Sequence, residues 1–384
     1  MSLRIFVSAG EASGDSYAAS LVRTLRSRLP GAEFYGCAGG RMQAAGVQAI
    51  LDADELSVVG LVEVIHHLPR IYGRFRELMS YARRHRPDIA ILTDSPDFNL
   101  PVARRLHREG VPVVYLVAPQ VWAWRRGRLS QLRRNVDRLL CIFPFEEQFF
   151  KEHNVAATYI GHPLAGRVMP SLEKGEFFRK HRIPLDRPVI AILPGSRPGE
   201  ISRHLPPVLE AVNRLYGRRA MSFLLAAPAG FSQKFGSSFY ADRIGRAPVK
   251  VIEGETWDVV GHSDLALAAS GTIATETALL GVPMITFYKV NHSSWVLGKF
   301  LVRVPFYTMV NLVAGRAVVP ELMQSELTGE RLAQEAERLL DDESARCEMR
   351  LGLRKVATRL RTDGDPMERA ADIVQELLQR KFTT

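Results

Sequence analysis

Short apolar runs alternate with amphipathic helical patterns along almost the whole chain, and no other feature limits the fold as strongly. In the first half the runs fall near Leu3–Ser8, Glu33–Cys37, Ile89–Thr93, Val113–Val117, Arg138–Ile142 and Ala157–Ile160. A second series follows near Val189–Leu193, Met221–Ala226, Val249–Ile252, Leu265–Ala268 and Met284–Phe287. Runs of that length separated by helical segments read as βαβ units around parallel sheets. The alternation breaks near Gly161-His162-Pro163, and Met169-Pro170 to Gly175 reads as linker. The tail reads as helices, with Asp365-Pro366 opening the last one. A chain of 384 residues exceeds one ordinary α/β core. The expected organisation is therefore two Rossmann-like parallel-sheet domains, 1–165 and 166–344, and C-terminal helices over 345–384. Two such domains imply a cleft, with ligands above the strand C-termini.

Charge narrows the partners. The formal net charge is +10, and residues 61–134 hold 14 arginines against 6 acidic residues, with no lysine before Lys151. Nucleic acid, an anionic membrane surface or a phosphorylated substrate would each suit such a patch, as would a plainly solvated surface. Nucleic acid is disfavoured because no aromatics interleave with the arginines as stacking platforms. Val58 to Met79 departs from the general pattern: apolar residues recur at helical spacing (Leu61, Ile65 and Leu68 among them), with Arg70, Arg74 and Arg76 interspersed. It reads as a core-facing helix or as an interfacial, acyl-binding one. No run approaches the roughly 18 apolar residues of a membrane span. Arg4-Ile5-Phe6-Val7 runs straight into Gly10-Glu11, which is not the pattern of a signal peptide. Cys37, Cys141 and Cys347 stand far apart and read as reduced, mostly buried thiols, and no histidine pair has metal-ligand spacing.

Four strand-to-helix turns carry the chemistry. Leu265–Ala269 gives way to Ser270-Gly271-Thr272 and a helical pattern, so backbone N–H groups and the helix dipole form an anion site. Glu276, one turn on, could hold a sugar diol beside it. Pro194-Gly195-Ser196-Arg197 closes an earlier strand of the same series and offers N–H groups and a guanidinium to phosphate. Gly10-Glu11-Ala12-Ser13-Gly14-Asp15 is a turn that lacks the dinucleotide glycine pattern; Ser13 or Asp15 would cap the helix, or the turn would hold an acceptor group. Asp94, at the end of Ile89–Thr93, could take a proton from an attacking hydroxyl; capping is the structural alternative for both Asp94 and Asp97. Trp122 and Trp124 follow a strand end and read as core or as a cleft wall bounded by Arg125 and Arg126.

Eight motifs occur in register: G-E-A-S-G-D (10–15), D-x-P-D-F-N (94–99), V-W-A-W-R (121–125), F-P-F-E (143–146), G-H-P (161–163), P-G-S-R-x-x-E (194–200), A-S-G-T-x-A-x-E (269–276) and N-L-x-A-G-R (311–316). Together they resemble the lipid-A-disaccharide synthase family, inverting glycosyltransferases of the two-Rossmann GT-B class. The resemblance implies a β-1,6 glucosamine disaccharide made from UDP-2,3-diacylglucosamine and 2,3-diacylglucosamine 1-phosphate (lipid X), with UDP released and no cofactor. By motif, Gly195, Ser196, Arg197, Ser270, Gly271, Thr272 and Glu276 are the UDP side. Asp94 is the base for the acceptor 6-hydroxyl, with Asp97 the next candidate. Gly10, Glu11, Ser13, Gly14, Asp15, Asn99, Trp122, Arg125, Asn311 and Arg316 belong to the acceptor side or the cleft.

An acylated acceptor lives at a membrane, so Leu61, Ile65, Leu68, Arg70 and Arg74 are expected to meet acyl chains and headgroups. The expected place is the inner face of the inner membrane, with a homodimer among the expected assemblies and the C-terminal helix returning to the first domain. Two departures are mild. Gln120 replaces a common serine, and Pro198 removes one N–H donor. The competing readings are a UDP-N-acetylglucosamine 2-epimerase or another GT-B transferase with an unacylated donor, which needs no apolar wall, and a basic nucleotide- or RNA-binding scaffold.

Overall fold

In the computed structural model, residues 2–55, 61–291, 295, 302 and 304–383 are described, with backbone alone at 54, 61–70, 382 and 383. The chain divides into two compact units, 1–163 with 362–384 and 164–361. Most of the strands are the runs read from the sequence, completely buried at β4, β8 and β11. This is what a parallel sheet covered on both faces requires.

The first unit runs β1 (Arg4–Ala9), α1 (Ala12–Arg28), β2 (Glu33–Ala38), α2 (Gly40–Ala44), β3 (Gln48–Asp52), α3 (Leu61–Arg84), β4 (Ile89–Thr93) and α4 (Pro96–Arg108). It continues with β5 (Val113–Leu116), α5 (Leu129–Asn135), β6 (Arg138–Cys141), α6 (Pro144–Glu152) and β7 (Ala157–Tyr159). The seven strands lie in the order β3-β2-β1-β4-β5-β6-β7, parallel throughout.

The second unit contains α7 (Lys174–Lys180), β8 (Val189–Leu193), α8 (Pro198–Tyr216), β9 (Ser222–Ala227), α9 (Phe231–Phe235), α10 (Ser238–Ile244), β10 (Val249–Glu253) and α11 (Thr256–Gly261). Then follow β11 (Leu265–Ala269), α12 (Thr272–Leu279), β12 (Met284–Tyr288), α13 (Met309–Ala314), β13 (Glu321–Met323), α14 (Gly329–Asp341) and α15 (Glu343–Leu360). Its sheet order, β10-β9-β8-β11-β12-β13, is again parallel and again reverses direction about its first strand.

The last helix, α16 (Pro366–Thr383), rejoins the first unit, where Arg28 meets Glu368, Asp372 (2.6 Å) and Gln375 (3.0 Å). Asp365 starts it by accepting the Met367 N–H (2.7 Å). The returning segment is therefore shorter than 345–384, because α15 stays with the second unit. The 169–175 stretch is not a loose linker: Asp258, buried in α11, accepts the N–H groups of Ser171 and Leu172 at 2.8 Å. Two edge strands, β3 and β13, carry too short or too exposed an apolar pattern to be read from sequence.

Candidate active site

Both sheets reverse strand order between their first and fourth strands, and ligands of open α/β sheets gather at the strand C-termini there. In the first unit that point lies between β1 and β4, and Asp94 straddles it. Its carboxylate accepts the N–H of Gly10 (2.8 Å) and of Glu11 (3.2 Å). A Cβ on Gly14 would collide with the Asp94 carboxylate, and one on Gly10 with Ser95, so both glycines are needed for this approach. The Asp94 backbone is fixed from behind, with its carbonyl accepting from Tyr115 Oη (2.5 Å) and Asn99 Nδ2 (3.0 Å). Ser8 Oγ in turn holds Asn99 Oδ1 (2.7 Å). Burial pushes the Asp94 carboxyl up to about 7, against the Gly10 hydrogen bond that pulls it down.

Backbone strain marks the same end of the sheet. Seven described non-glycine residues have positive φ, and four of them (Asp94, Ser95, Val117 and Arg125) follow β4 or β5. Such conformations cost roughly 1–3 kcal/mol each and gather where function over-determines the backbone.

Several sequence candidates turn out to be framework. Asp15 is buried and accepts the N–H groups of Gly39 (2.9 Å), Arg41 (2.9 Å) and Met42 (3.1 Å), so it caps α2. Asn99, completely buried, positions Asp94 from behind. Trp122 is core, not wall: it is buried, and its indole donates to Glu146 (3.1 Å), whose carboxyl burial pushes up to about 8. Trp124 is the exposed tryptophan, with the Arg125 guanidinium 4.4 Å above its ring. Asp97 is exposed and paired with Arg125 (2.9 Å) and Arg128. Glu11 is exposed at the start of α1, and Ser13 is half-buried in its first turn. Along α3, Arg74 is held by Glu55 and Glu77 (2.6 Å). Val58 and the side chains of Leu61, Ile65, Leu68 and Arg70 lie outside the described residues.

In the second unit the reversal lies between β8 and β11, and the two anion turns flank it. Gly195 has φ 116°, a conformation suited to glycine, and a Cβ there would stand 3.0 Å from Glu200. Ser196 and Arg197 are exposed, and Arg197 lies 3.7 Å from Glu200. Beyond β11, Gly271 and Thr272 are exposed where α12 begins, with no side-chain cap. One expectation needs correction: the Ser270 N–H is already spent on Phe287 O (2.8 Å), since Ser270 still continues the ladder to β12. Of the three N–H groups expected to meet an anion, that of Ser270 is therefore not available. Glu276 accepts the Trp257 indole N–H (2.6 Å), which fixes one of its oxygens.

His204 and Tyr288 were not singled out from sequence, and Glu200 entered only as the last residue of the P-G-S-R-x-x-E motif. His204 is completely buried and joins two strand ends, its Nδ1–H donating to Pro194 O (2.7 Å) and its Nε2 accepting from Lys289 N (3.0 Å). Burial pushes its pKa down, so the ring is held neutral in that tautomer. Tyr288 Oη donates to Glu200 (3.1 Å). The available signal was spacing: Glu200 and His204 are four apart on α8 and share a face. Asn311 is tied to the Ser270 turn through Glu321, which accepts its amide (2.8 Å) and the Tyr307 N–H (2.9 Å), while the Tyr307 carbonyl accepts from Ser270 Oγ (3.2 Å). Asn311 is buried, donating to Val319 O (2.9 Å) and Glu321 (2.8 Å) and accepting from Val318 N (2.7 Å) and Val319 N (3.0 Å). Arg316 is exposed and faces Glu348 (3.7 Å).

Solved structures share this architecture. An S. aureus MnaA–UDP complex matches with TM-score 0.64 at 13% identity, covering 98% of this chain and 97% of that one. CalG4, the calicheamicin glycosyltransferase, matches with TM-score 0.60 at 18% identity, covering 99% of each chain. Fold and turns together define a two-Rossmann α/β protein of the GT-B class. The family model for lipid-A-disaccharide synthetase matches residues 5–373. The lipid-A-disaccharide synthase of Solibacter usitatus is 58% identical over 380 residues, 99% of each chain. That of Myxococcus xanthus is 44% identical over 378 residues, covering 98% of this chain and 97% of the relative. The chain belongs to the lipid-A-disaccharide synthase family, and it is a glycosyltransferase of lipid A biosynthesis.

Proposed function

We propose that the first unit activates the acceptor and the second holds the donor nucleotide. The donor is UDP-2,3-diacylglucosamine and the acceptor 2,3-diacylglucosamine 1-phosphate. Asp94 takes the proton of the acceptor 6-hydroxyl, the oxygen attacks the anomeric carbon, and the bond from that carbon to the UDP oxygen breaks. One direct displacement inverts the anomeric centre. Arg197 and the N–H groups of Gly195, Ser196, Gly271 and Thr272 neutralise the charge gathering on the departing diphosphate. Glu276 binds the ribose diol.

The observation that carries this reading is Asp94 itself: a half-buried carboxylate at a switch point, its pKa moved to about 7, where a general base works best. The test is UDP release from the two substrates. Asp94→Asn should lose roughly 10²–10⁴-fold in kcat while still binding UDP, and Arg197→Ala should weaken both binding and turnover. A near wild-type rate in Asp94→Asn would remove the base assignment.

The arginine-rich first half supports peripheral association with an anionic membrane surface at its cytoplasmic face. Among the described residues no helix is long and apolar enough to cross a membrane. Co-sedimentation with vesicles that is lost when anionic lipid is left out would support this reading. Equal binding to neutral vesicles would count against it.

A further inference from the structure

In the first unit, two guanidiniums converge on one exposed carboxylate. Arg125 Nη1 reaches both oxygens of Asp97, at 2.9 Å and 3.1 Å, and Arg128 approaches the same Oδ1. The burial is uneven: the side chain of Arg128 is 13% exposed, whereas that of Asp97 is 75% exposed. Arg125 is braced by its stacking on Trp124 and by a left-handed backbone at φ 55°. The group lies at the end of the sheet that carries Asp94. Asp97 opens α4 directly after Asp94-Ser95, and Arg125–Arg128 closes the loop after β5, the strand beside β4. Tyr115, whose hydroxyl holds the Asp94 carbonyl, feels the charges of both Arg128 and Asp97.

We propose that Arg125 and Arg128 form the subsite for the acceptor's phosphate monoester, and that Asp97 occupies it until the phosphate replaces it. Two fixed guanidiniums carry two positive charges and several forked donors. A carboxylate supplies one negative charge and two oxygens, whereas a phosphate monoester supplies nearly two charges and three oxygens. An exposed carboxylate gives up such a pair at little cost. Asp97 then screens the arginines from other anions and is the counter-ion, not the base.

This rests on the reaction proposed above, and the experiment separates the two. Transfer by the full-length enzyme is measured with 2,3-diacylglucosamine 1-phosphate and with the same sugar lacking its phosphate. Wild type should prefer the phosphorylated acceptor. In Arg125→Gln and Arg128→Gln the preference should fall about tenfold to a hundredfold, through KM, with the unphosphorylated acceptor little changed. Arg125→Lys should restore part of it. Asp97→Asn should lower KM for the phosphorylated acceptor alone. Inorganic phosphate should compete with the acceptor in wild type and much less in Arg125→Gln.

Equal losses with both acceptors would make the arginines structural and overturn the subsite, as would an unchanged preference. A raised KM in Asp97→Asn would overturn the exchange. If Arg128→Gln does not fold, the more exposed Arg125 carries the test alone. No transfer to either acceptor in wild type would instead overturn the proposed reaction.

Discussion

Asp94 is pulled both ways: two backbone N–H groups favour its ionised form, and burial disfavours it more. Activity should therefore fall on the acid side with an apparent pKa near 7, because the base must be unprotonated to act. The same shift acts on stability. Its folded pKa lies above the ordinary 3.8, so the unfolded chain releases this proton first as pH rises. Wild type loses stability between about pH 4 and 7 relative to a variant that cannot ionise, and the loss levels off above that. Asp94→Asn should therefore gain stability over wild type across this window. The upper bound is about 4 kcal/mol, from roughly three pH units at 1.36 kcal/mol each, and urea melts at pH 4 and pH 8 would measure it. Gly14→Ala tests the same carboxylate from the other side. Helix propensity alone would favour alanine by about 1 kcal/mol, yet its Cβ would displace the Asp94 carboxylate. The expected result is a stable protein with turnover reduced at least 100-fold, read by circular dichroism and UDP release.

At the scale of elements, the second unit's anion turns depend on what ties their strands together. His204 joins the end of β8 to the residue after β12 through two hydrogen bonds, one buried and one partly exposed. Deleting the ring leaves a carbonyl and an N–H unsatisfied, about 1–3 kcal/mol for the buried carbonyl and less for the partly exposed N–H. His204→Ala should lower stability by about 2–4 kcal/mol and weaken UDP binding, measured by denaturant melts and calorimetric titration. Unchanged UDP affinity would separate His204 from the site. Sequence spacing located these strands because fully buried parallel strands read as unbroken apolar runs. It missed β3 and β13, edge strands whose half-exposed or three-residue patterns resemble loops.

For the whole molecule, α16 decides the completeness of the first unit. Met367, Ala370, Ala371 and Val374 on this helix are 0% exposed, and Lys381 reaches the Asp88 carbonyl (2.9 Å). A chain ending at Arg361 would uncover that apolar face of the first unit. It should be cleaved faster within residues 1–163 under limited proteolysis, with the second unit protected. Equal resistance to the full-length chain would show that the first unit stands without α16.

The two α/β series, the turns at their strand ends and the family were readable without coordinates, because each depends on local periodicity or on residues close together in the chain. Asp94, Arg197 and the 270–272 turn could be placed at strand ends for that reason. What each polar residue does was decided only by tertiary structure. Asp15, Asn99, Asn311 and Trp122 belong to the same set of motifs as Asp94, but the fold turns them onto backbone groups or into the core. Asp94 and Asp97 sit three residues apart with the same side chain, yet one is half-buried with its pKa moved to about 7 and the other is exposed between two arginines. Burial and distant charges set those states, and both come from parts of the chain that local sequence does not contain.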